Sequence, residues 1–181
     1  MSRIFVDESG EKPVASKGGK KYSILFRDDA SRMSWIYFMR KKSESPDALD
    51  QFLADTREYG PPKIIRTDDA PQLKEGKFDE ICKKLHIKRE FTFGNTPQLN
   101  EVVERGITLI EKVAKASAYQ AKVSFVGMDL APMYRLWTDN RHNACDVLNH
   151  LASKLNKGMT TLYEMWNGVK PSPTLVQWLQ P

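Results

Sequence analysis

The sequence predicts an α/β fold: a five-stranded mixed sheet, an antiparallel meander plus parallel strands, flanked by helices. Three observations carry this. Short runs rich in β-branched and aromatic residues recur at 3–7, 22–26, 33–39, 63–67 and 87–91. Apolar stripes of helical period precede the fourth and fifth of these runs. Turn-forming residues join the second run to the third. A strand that returns through a helix lies parallel to its neighbour, so the succession βββαβαβ makes a mixed sheet rather than a bundle or sandwich.

Each element has its own signal. Residues 3–7 read as a buried strand closed by an acid, Asp7. Between the second and third strands, Arg27-Asp-Asp-Ala-Ser-Arg32 carries short polar side chains that bond their own backbone, which predicts a hairpin with Asp28 and Asp29 as turn residues. Ser43, followed by acidic and apolar residues, reads as a helix cap, with Leu49, Phe52 and Leu53 as the apolar stripe and Gly60-Pro-Pro62 as the stop. The fourth strand is closed by Asp68. Phe78, Ile81, Cys82 and Leu85 mark a second amphipathic helix before the fifth strand. Residues 92–97 read as a loop, after which Val102, Val103, Ile107, Ile110, Val113 and Ala114 predict a long helix to about residue 120. A further helix is expected over 132–155 and a short one over 161–166, and Pro171-Ser-Pro173 ends regular structure. No repeat or linker divides the chain, so 1–181 is expected to be one domain, with the sheet and active site in 1–120 and a helical part in 121–181.

Composition narrows the function classes. A length of 181 residues with 40% hydrophobic and 28% charged residues suits one globular core. No apolar run approaches the roughly 20 residues of a membrane span, and the N-terminus lacks an export-signal pattern. Cys82 and Cys145 are far apart without a C-x-x-C partner, and His86, His142 and His150 are scattered, which argues against a disulfide framework and a structural zinc site. A reducing, intracellular compartment is expected. The net charge of +5 lies wholly in residues 1–42, with ten Lys/Arg against five Asp/Glu. Such a face attracts phosphate through counterion release, although a merely solvated basic surface has the same composition.

Three acids occupy informative positions. Asp7 ends the first strand, Asp68 ends the fourth, and Glu104 lies in the opening turns of the long helix. If strands one and four are neighbours, their ends bring two carboxylates together and the helix supplies a third. Like charges so placed need cations to stay ionised, and hard oxygen ligands suit Mg²⁺ or Mn²⁺. Two such ions about 3.5–4 Å apart serve phosphodiester chemistry without a protein nucleophile. Acids at strand ends and helix starts also serve solvation and the helix dipole, so position alone leaves both readings open.

The surrounding motifs are more specific. Asp7 with Ser9-Gly10, Leu25-Phe-Arg-Asp-Asp-Ala-Ser-Arg32, Ile65-Arg-Thr-Asp68 and Thr96-Pro-Gln-Leu-Asn-Glu-Val-Val-Glu-Arg105 together resemble the integrase catalytic core of copia-type LTR retrotransposons, within the retroviral integrase superfamily. Between Asp68 and Glu104 lie 35 residues, the spacing of that family's Asp-Asp-35-Glu signature. The resemblance continues through Trp137, Asn143-Ala-Cys-Asp-Val-Leu-Asn149, Tyr163-Glu-Met-Trp-Asn-Gly168 and Lys170-Pro171, nearly the whole chain.

The resemblance implies a ribonuclease H-like fold, with Asp7, Asp68 and Glu104 as catalytic residues holding two Mg²⁺ or Mn²⁺ ions and Asp7 bridging both. It implies polynucleotidyl transfer: a 3′-hydroxyl of an element end attacks a target phosphodiester, and water in its place gives nicking. The implied partners are double-stranded DNA and further copies of the chain, with no membrane, acting in the nucleus after a cytoplasmic particle stage. It disfavours the neighbouring acids Glu8, Asp69 and Glu101. Full chains of the family carry an N-terminal zinc-binding domain and a C-terminal tail that this stretch lacks, so an excised core or a domesticated descendant is expected. Two departures flank the site: Asp69-Ala70-Pro71 stands where relatives usually have Asn-Gly, and Glu101 where they usually have Gly. They motivate a catalytically silent module for DNA binding or dimerisation as an alternative; a ribonuclease H-like nuclease is another. Arg105, Lys112 and Lys115 are the candidate DNA contacts, since Glu104, Thr108, Lys112 and Lys115 share roughly one helix face. Pairing of Glu111 with Lys115 is the plainer use of that face. Trp35, Trp137, Trp166 and Trp178 are expected in the core or at partner contacts rather than stacked on bases.

Overall fold

Five strands form one mixed sheet in a computed structural model that describes residues 1–92, 101–124, 134–154 and 156–172. They are β1 (Arg3–Glu8), β2 (Tyr22–Asp28), β3 (Ser34–Met39), β4 (Ile64–Asp68) and β5 (Lys88–Thr92). Their order is β3-β2-β1-β4-β5; β1 pairs antiparallel with β2 and β2 with β3, whereas β1 and β4, and β4 and β5, run parallel. The meander and the crossovers expected from the sequence are both present, and strands one and four are neighbours.

Six helices cover the sheet among the described residues: α1 (Ser45–Asp55), α2 (Pro71–Lys74), α3 (Lys77–Lys84), α4 (Glu101–Ser124), α5 (Trp137–His150) and α6 (Leu162–Asn167). Because successive strand side chains point to opposite faces, β1 feeds two cores. Ile4 and Val6 join Ile24, Phe26 and Ile65 against Leu49 and Phe52 of α1 and Phe78 and Cys82 of α3. Phe5 joins Leu25 and Ile36 against Val103, Ile110 and Ala114 of α4 and Ala144 and Cys145 of α5. Phe52 stacks on Phe26 at 4.6 Å and meets the edge of Trp35 at 5.4 Å. Truncating such a side chain to alanine costs about 3–5 kcal/mol, so α1 is firmly seated.

The Asp28-Asp29 turn is as expected. The buried Asp28 carboxylate accepts bonds from the Ala30 and Ser31 amides at 3.1 and 2.7 Å and from the Ser31 hydroxyl at 2.8 Å, while Asp29 pairs with Arg3 and Arg32. Other local expectations need correction. Ser43 caps nothing: it lies inside a short 3-10 turn, Lys42–Glu44, and α1 starts at Ser45 without a side-chain cap, its first turn set by Pro46. The four-residue α2, too short for a period to show, was not anticipated. Thr92 closes β5 rather than opening a loop, and the remainder of the expected 92–97 loop falls outside the described residues. α5 ends at His150, not 155, because Ala152 turns away to bridge Thr161; its expected start at Pro132 also lies outside the described residues. Among the described residues no helix is long and apolar enough to cross a membrane.

Candidate active site

Alternation along β1 separates its two adjacent acids. Asp7 follows Phe5 onto the α4 side of the sheet, whereas Glu8 follows Ile4 and Val6 toward α1. Glu8 is consumed there: its nearly buried carboxylate accepts bonds from the Ser45 hydroxyl and from Gln72 at 2.6 Å, and Lys42 stands 3.6 Å away. That is a structural role.

The parallel pairing of β1 and β4 brings Asp68 to the same end of the sheet. Phe5 is in register with Arg66, whose guanidinium lies over the Phe5 ring at 5.5 Å, so both point to one face. Two residues further along each strand are Asp7 and Asp68. Asp68 accepts a bond from the Ala70 amide at 3.3 Å, which folds the chain away behind it. α4 crosses this face, anchored by the buried Val103, Ile110 and Ala114, and Glu104 emerges beside Val103 on its exposed side. Asp7 and Glu104 line one cleft of about 350 Å³ together with Ser9, Lys12, Thr108 and Glu111; Asp68 does not line it.

Electrostatics link the three acids. Burial pushes the Asp7 carboxyl from 3.8 up to about 7; an amide bond from Glu8, at 2.8 Å, opposes this, and the negative charges of Asp68, Glu104 and Glu8 add to it. Asp7 is thus desolvated and repelled by the two other acids singled out in the sequence. Among the described residues, however, no three His, Cys, Asp or Glu side chains are gathered closely enough to hold an ion as they stand. The donor set still fits a hard divalent cation, which would neutralise carboxylates that now oppose one another.

Several residues that set this geometry are silent in the sequence. Gly106 is one: a Cβ there would stand 2.6 Å from Arg27 Nη1 and 3.1 Å from Leu25 Cδ2, so α4 approaches β2 this closely only because the side chain is missing. A glycine inside a helix, at a cost of about 1 kcal/mol, was the available clue. The buried Arg141 is another. It donates to Ser23 Oγ at 2.8 Å and pairs with Glu111, which also binds Lys12 at 2.8 Å. Ser23 in turn donates to Ser9 Oγ at 2.9 Å, so α5, α4, β2 and the segment after Asp7 are tied together. Nothing in the sequence pattern pointed to that network.

The match to known proteins agrees with this geometry. A family model described as the integrase core domain matches residues 3–97. Over 156 residues the chain is 32% identical to the retrovirus-related Pol polyprotein from transposon TNT 1-94 of Nicotiana tabacum, covering 84% of this chain and 11% of that polyprotein. The chain belongs to the integrase core domain family. The copia-type resemblance seen in the motifs therefore holds. This integrase core superposes on a chain of the simian T-cell lymphotropic virus intasome in complex with the PP2A regulatory subunit B56 gamma, with a TM-score of 0.69 at 17% identity over 95% of this chain and 56% of that one. It also superposes on the HTLV-2 integrase catalytic core domain in complex with magnesium (trimeric form), with a TM-score of 0.63 at 18% identity over 91% of this chain and 95% of that one. The ribonuclease H-like fold is the same.

The candidate DNA contacts of this integrase core divide. Arg105 pairs with Glu101 one turn back. Lys112 borders a groove with Arg27, Glu104, Arg105 and Thr108, whereas Lys115 lies on the other flank with Lys12, Trp137 and Arg141. The single face expected for Glu104, Thr108, Lys112 and Lys115 is therefore a ridge with the lysines on different sides, and Glu111 bonds Lys12 and Arg141 instead of the expected Lys115. The acids that depart from the family pattern have cations of their own, Asp69 with Lys74 at 2.7 Å and Glu101 with Arg105. The half-buried Trp35 packs against the core and meets Trp166 at 4.8 Å, and the half-buried Trp137 packs on Phe38 at 5.5 Å at the edge of a surface pocket; Trp178 lies outside the described residues.

Proposed function

We propose that this chain is the catalytic core of a retrotransposon integrase, joining element DNA ends to target DNA by metal-dependent phosphodiester chemistry at Asp7, Asp68 and Glu104. The observation that carries the reading is the desolvated Asp7 carboxyl, repelled by Asp68 and Glu104 at the shared end of two parallel strands. A fold that spends stability on opposed carboxylates at one edge is arranged for cations. Asp7, Asp68 and Glu104 would hold two Mg²⁺ or Mn²⁺ ions, which supply activation of the attacking oxygen and stabilisation of the leaving one.

The chain's own groups do the rest. The Glu8 amide orients one Asp7 oxygen, Asp68 is steadied by the Ala70 amide, and the Arg141 to Glu111 pair holds α4 about two turns beyond Glu104. The Lys74 and Arg105 partners of Asp69 and Glu101 partly offset the two additional acids, so these need not compete for cations. Double-stranded DNA and further copies of the chain are the partners, and the nucleus is the place of action.

One observation favours a second reading. The acids do not form a closed cluster among the described residues, as a silent module for DNA binding or dimerisation would also allow. A labelled duplex carrying an element end, incubated with the chain and Mg²⁺ or Mn²⁺, separates the possibilities. Strand-transfer products support the integrase reading, nicking alone leaves a ribonuclease H-like nuclease, and binding without either reaction under every metal tried leaves the silent module.

A further inference from the structure

Arg27 on β2 is the exception among the buried or partly buried arginines of the sheet and its helices. Arg3, Arg66 and Arg89 have carboxylates at 3.2, 2.6 and 3.6 Å, and Arg141 pairs with Glu111. Arg27 has a neutral partner, donating from Nη1 to Ser34 Oγ at 3.1 Å, and its buried Nε has no partner. Arg32 repels it, and the neighbouring Cys145 thiol, whose own pKa burial pushes up to about 12, stays neutral and offers no counter-charge. Burial, with repulsion from Arg32 added to it, lowers the guanidinium to about 10, the mark of a cation held out of water without a counter-ion.

The guanidinium borders a groove of about 470 Å³ between β2 and α4, whose rim carries Arg105 and Lys112. Of the two carboxylates there, Glu101 is occupied by Arg105, and Glu104 stands on the ridge shared with the acid cleft. Gly106 is the roof over Arg27, and any side chain there would meet Nη1. A half-buried guanidinium without a counter-ion, in the lining of a groove that also carries Arg105 and Lys112, is complementary to an oxyanion.

We propose that this groove is a phosphate site with Arg27 at its base, taking a phosphodiester of the DNA strand one ridge away from the acid cleft. The DNA part rests on the integrase reading above; the anion site itself does not. Arg27 becomes the contact that fixes the strand's path, with Lys112 as a rim cation, and the missing counter-ion is the backbone of the substrate.

The test compares the intact chain with Arg27→Met and with Lys84→Met, an exposed lysine on α3. In metal-free buffer, inorganic phosphate should raise the melting temperature of the parent chain and of Lys84→Met but not of Arg27→Met. Arg27→Met alone should melt at or above the parent temperature, because a partly desolvated cation without a counter-ion is gone. Its affinity for a duplex should fall about tenfold, and the slope of log affinity against log salt should become shallower by about 0.9, one phosphate contact. An unchanged phosphate shift and an unchanged salt slope in Arg27→Met would overturn the site, as would a lowered melting temperature with the phosphate shift retained, which makes Arg27 a packing residue. If the parent chain carries out strand transfer and Arg27→Met does so equally at every salt concentration, the site falls and the integrase reading stands. If the phosphate shift depends on Arg27 while no duplex is bound or cut, the anion site stands and the integrase reading falls.

Discussion

Replacing Asp7 by asparagine removes a carboxylate that burial and three neighbouring acids penalise, and leaves an oxygen to accept the Glu8 amide bond. The sign follows from the proton count. With the folded carboxyl raised from 3.8 to about 7, the folded chain keeps a proton that the unfolded chain has already released across that window. The penalty is absent below about pH 4, grows as pH rises, and is complete above about pH 7. At 1.36 kcal/mol per pH unit, the full span amounts to roughly 4 kcal/mol, and the partial exposure of Asp7 reduces this to about 2–3 kcal/mol. For a chain of this size each kcal/mol moves the melting temperature by about 2–4 °C. Metal-free Asp7→Asn should therefore melt roughly 5–10 °C above the parent chain at pH 8, with the margin shrinking toward pH 5. Mg²⁺ should raise the parent's melting temperature at pH 8 and leave the variant's almost unmoved. Differential scanning fluorimetry across pH 5–8 reads both effects; equal melting temperatures at pH 8, or a margin that does not depend on pH, would refute the reasoning.

Three further outcomes follow from the same geometry. Gly106→Ala forces α4 away from Leu25 and Arg27, and should lower stability by about 1–3 kcal/mol and reduce cleavage more than duplex binding, because Glu104 moves with the helix; urea titration and single-turnover rates check the two parts. Glu8→Ala should destabilise by about 1–3 kcal/mol, since Ser45 and Gln72 lose their acceptor, yet retain cleavage when assayed well below its melting temperature. Duplex affinity should fall steeply between 50 and 200 mM salt with little dependence on sequence, as expected for lysine and arginine contacts to phosphate; fluorescence anisotropy with unrelated duplexes tests this, and a flat profile counts against it.

Much of the sheet was legible because its strands are short apolar runs broken by residues with one local preference. The Asp28-Asp29 hairpin depends on side chains that bond the adjacent backbone, so it could be read locally. The crossover rule made β4 parallel to its neighbour without naming that neighbour, so the convergence of Asp7 and Asp68 stood as a condition until the pairing of β1 with β4 was seen. What remained hidden depends on contacts between distant segments. Ser43 has the residue type of a cap, but Pro46 and the preceding 3-10 turn decide where α1 begins. Helical spacing placed Lys112 and Lys115 near one face, yet the ridge formed by Glu104 and Thr108 puts them in different grooves, a distinction that arises only once β2 and α5 are packed on α4. The half-buried Arg27 and the buried Arg141 had no periodic signature, because nothing in a strand or helix pattern tells a charged residue on the surface from one held inside by a remote partner.

The assignment of the acids is tested most directly by assaying the parent chain, Asp68→Asn, Glu104→Gln and Asp69→Asn on one labelled duplex with Mn²⁺. Each change removes a negative charge with almost no change in shape, so folding should be level or improved in the absence of metal. The parent and Asp69→Asn should cleave, whereas Asp68→Asn and Glu104→Gln should lose cleavage while keeping the parent's circular dichroism spectrum. Loss of cleavage in Asp69→Asn with activity retained in Asp68→Asn would contradict the site as assigned here.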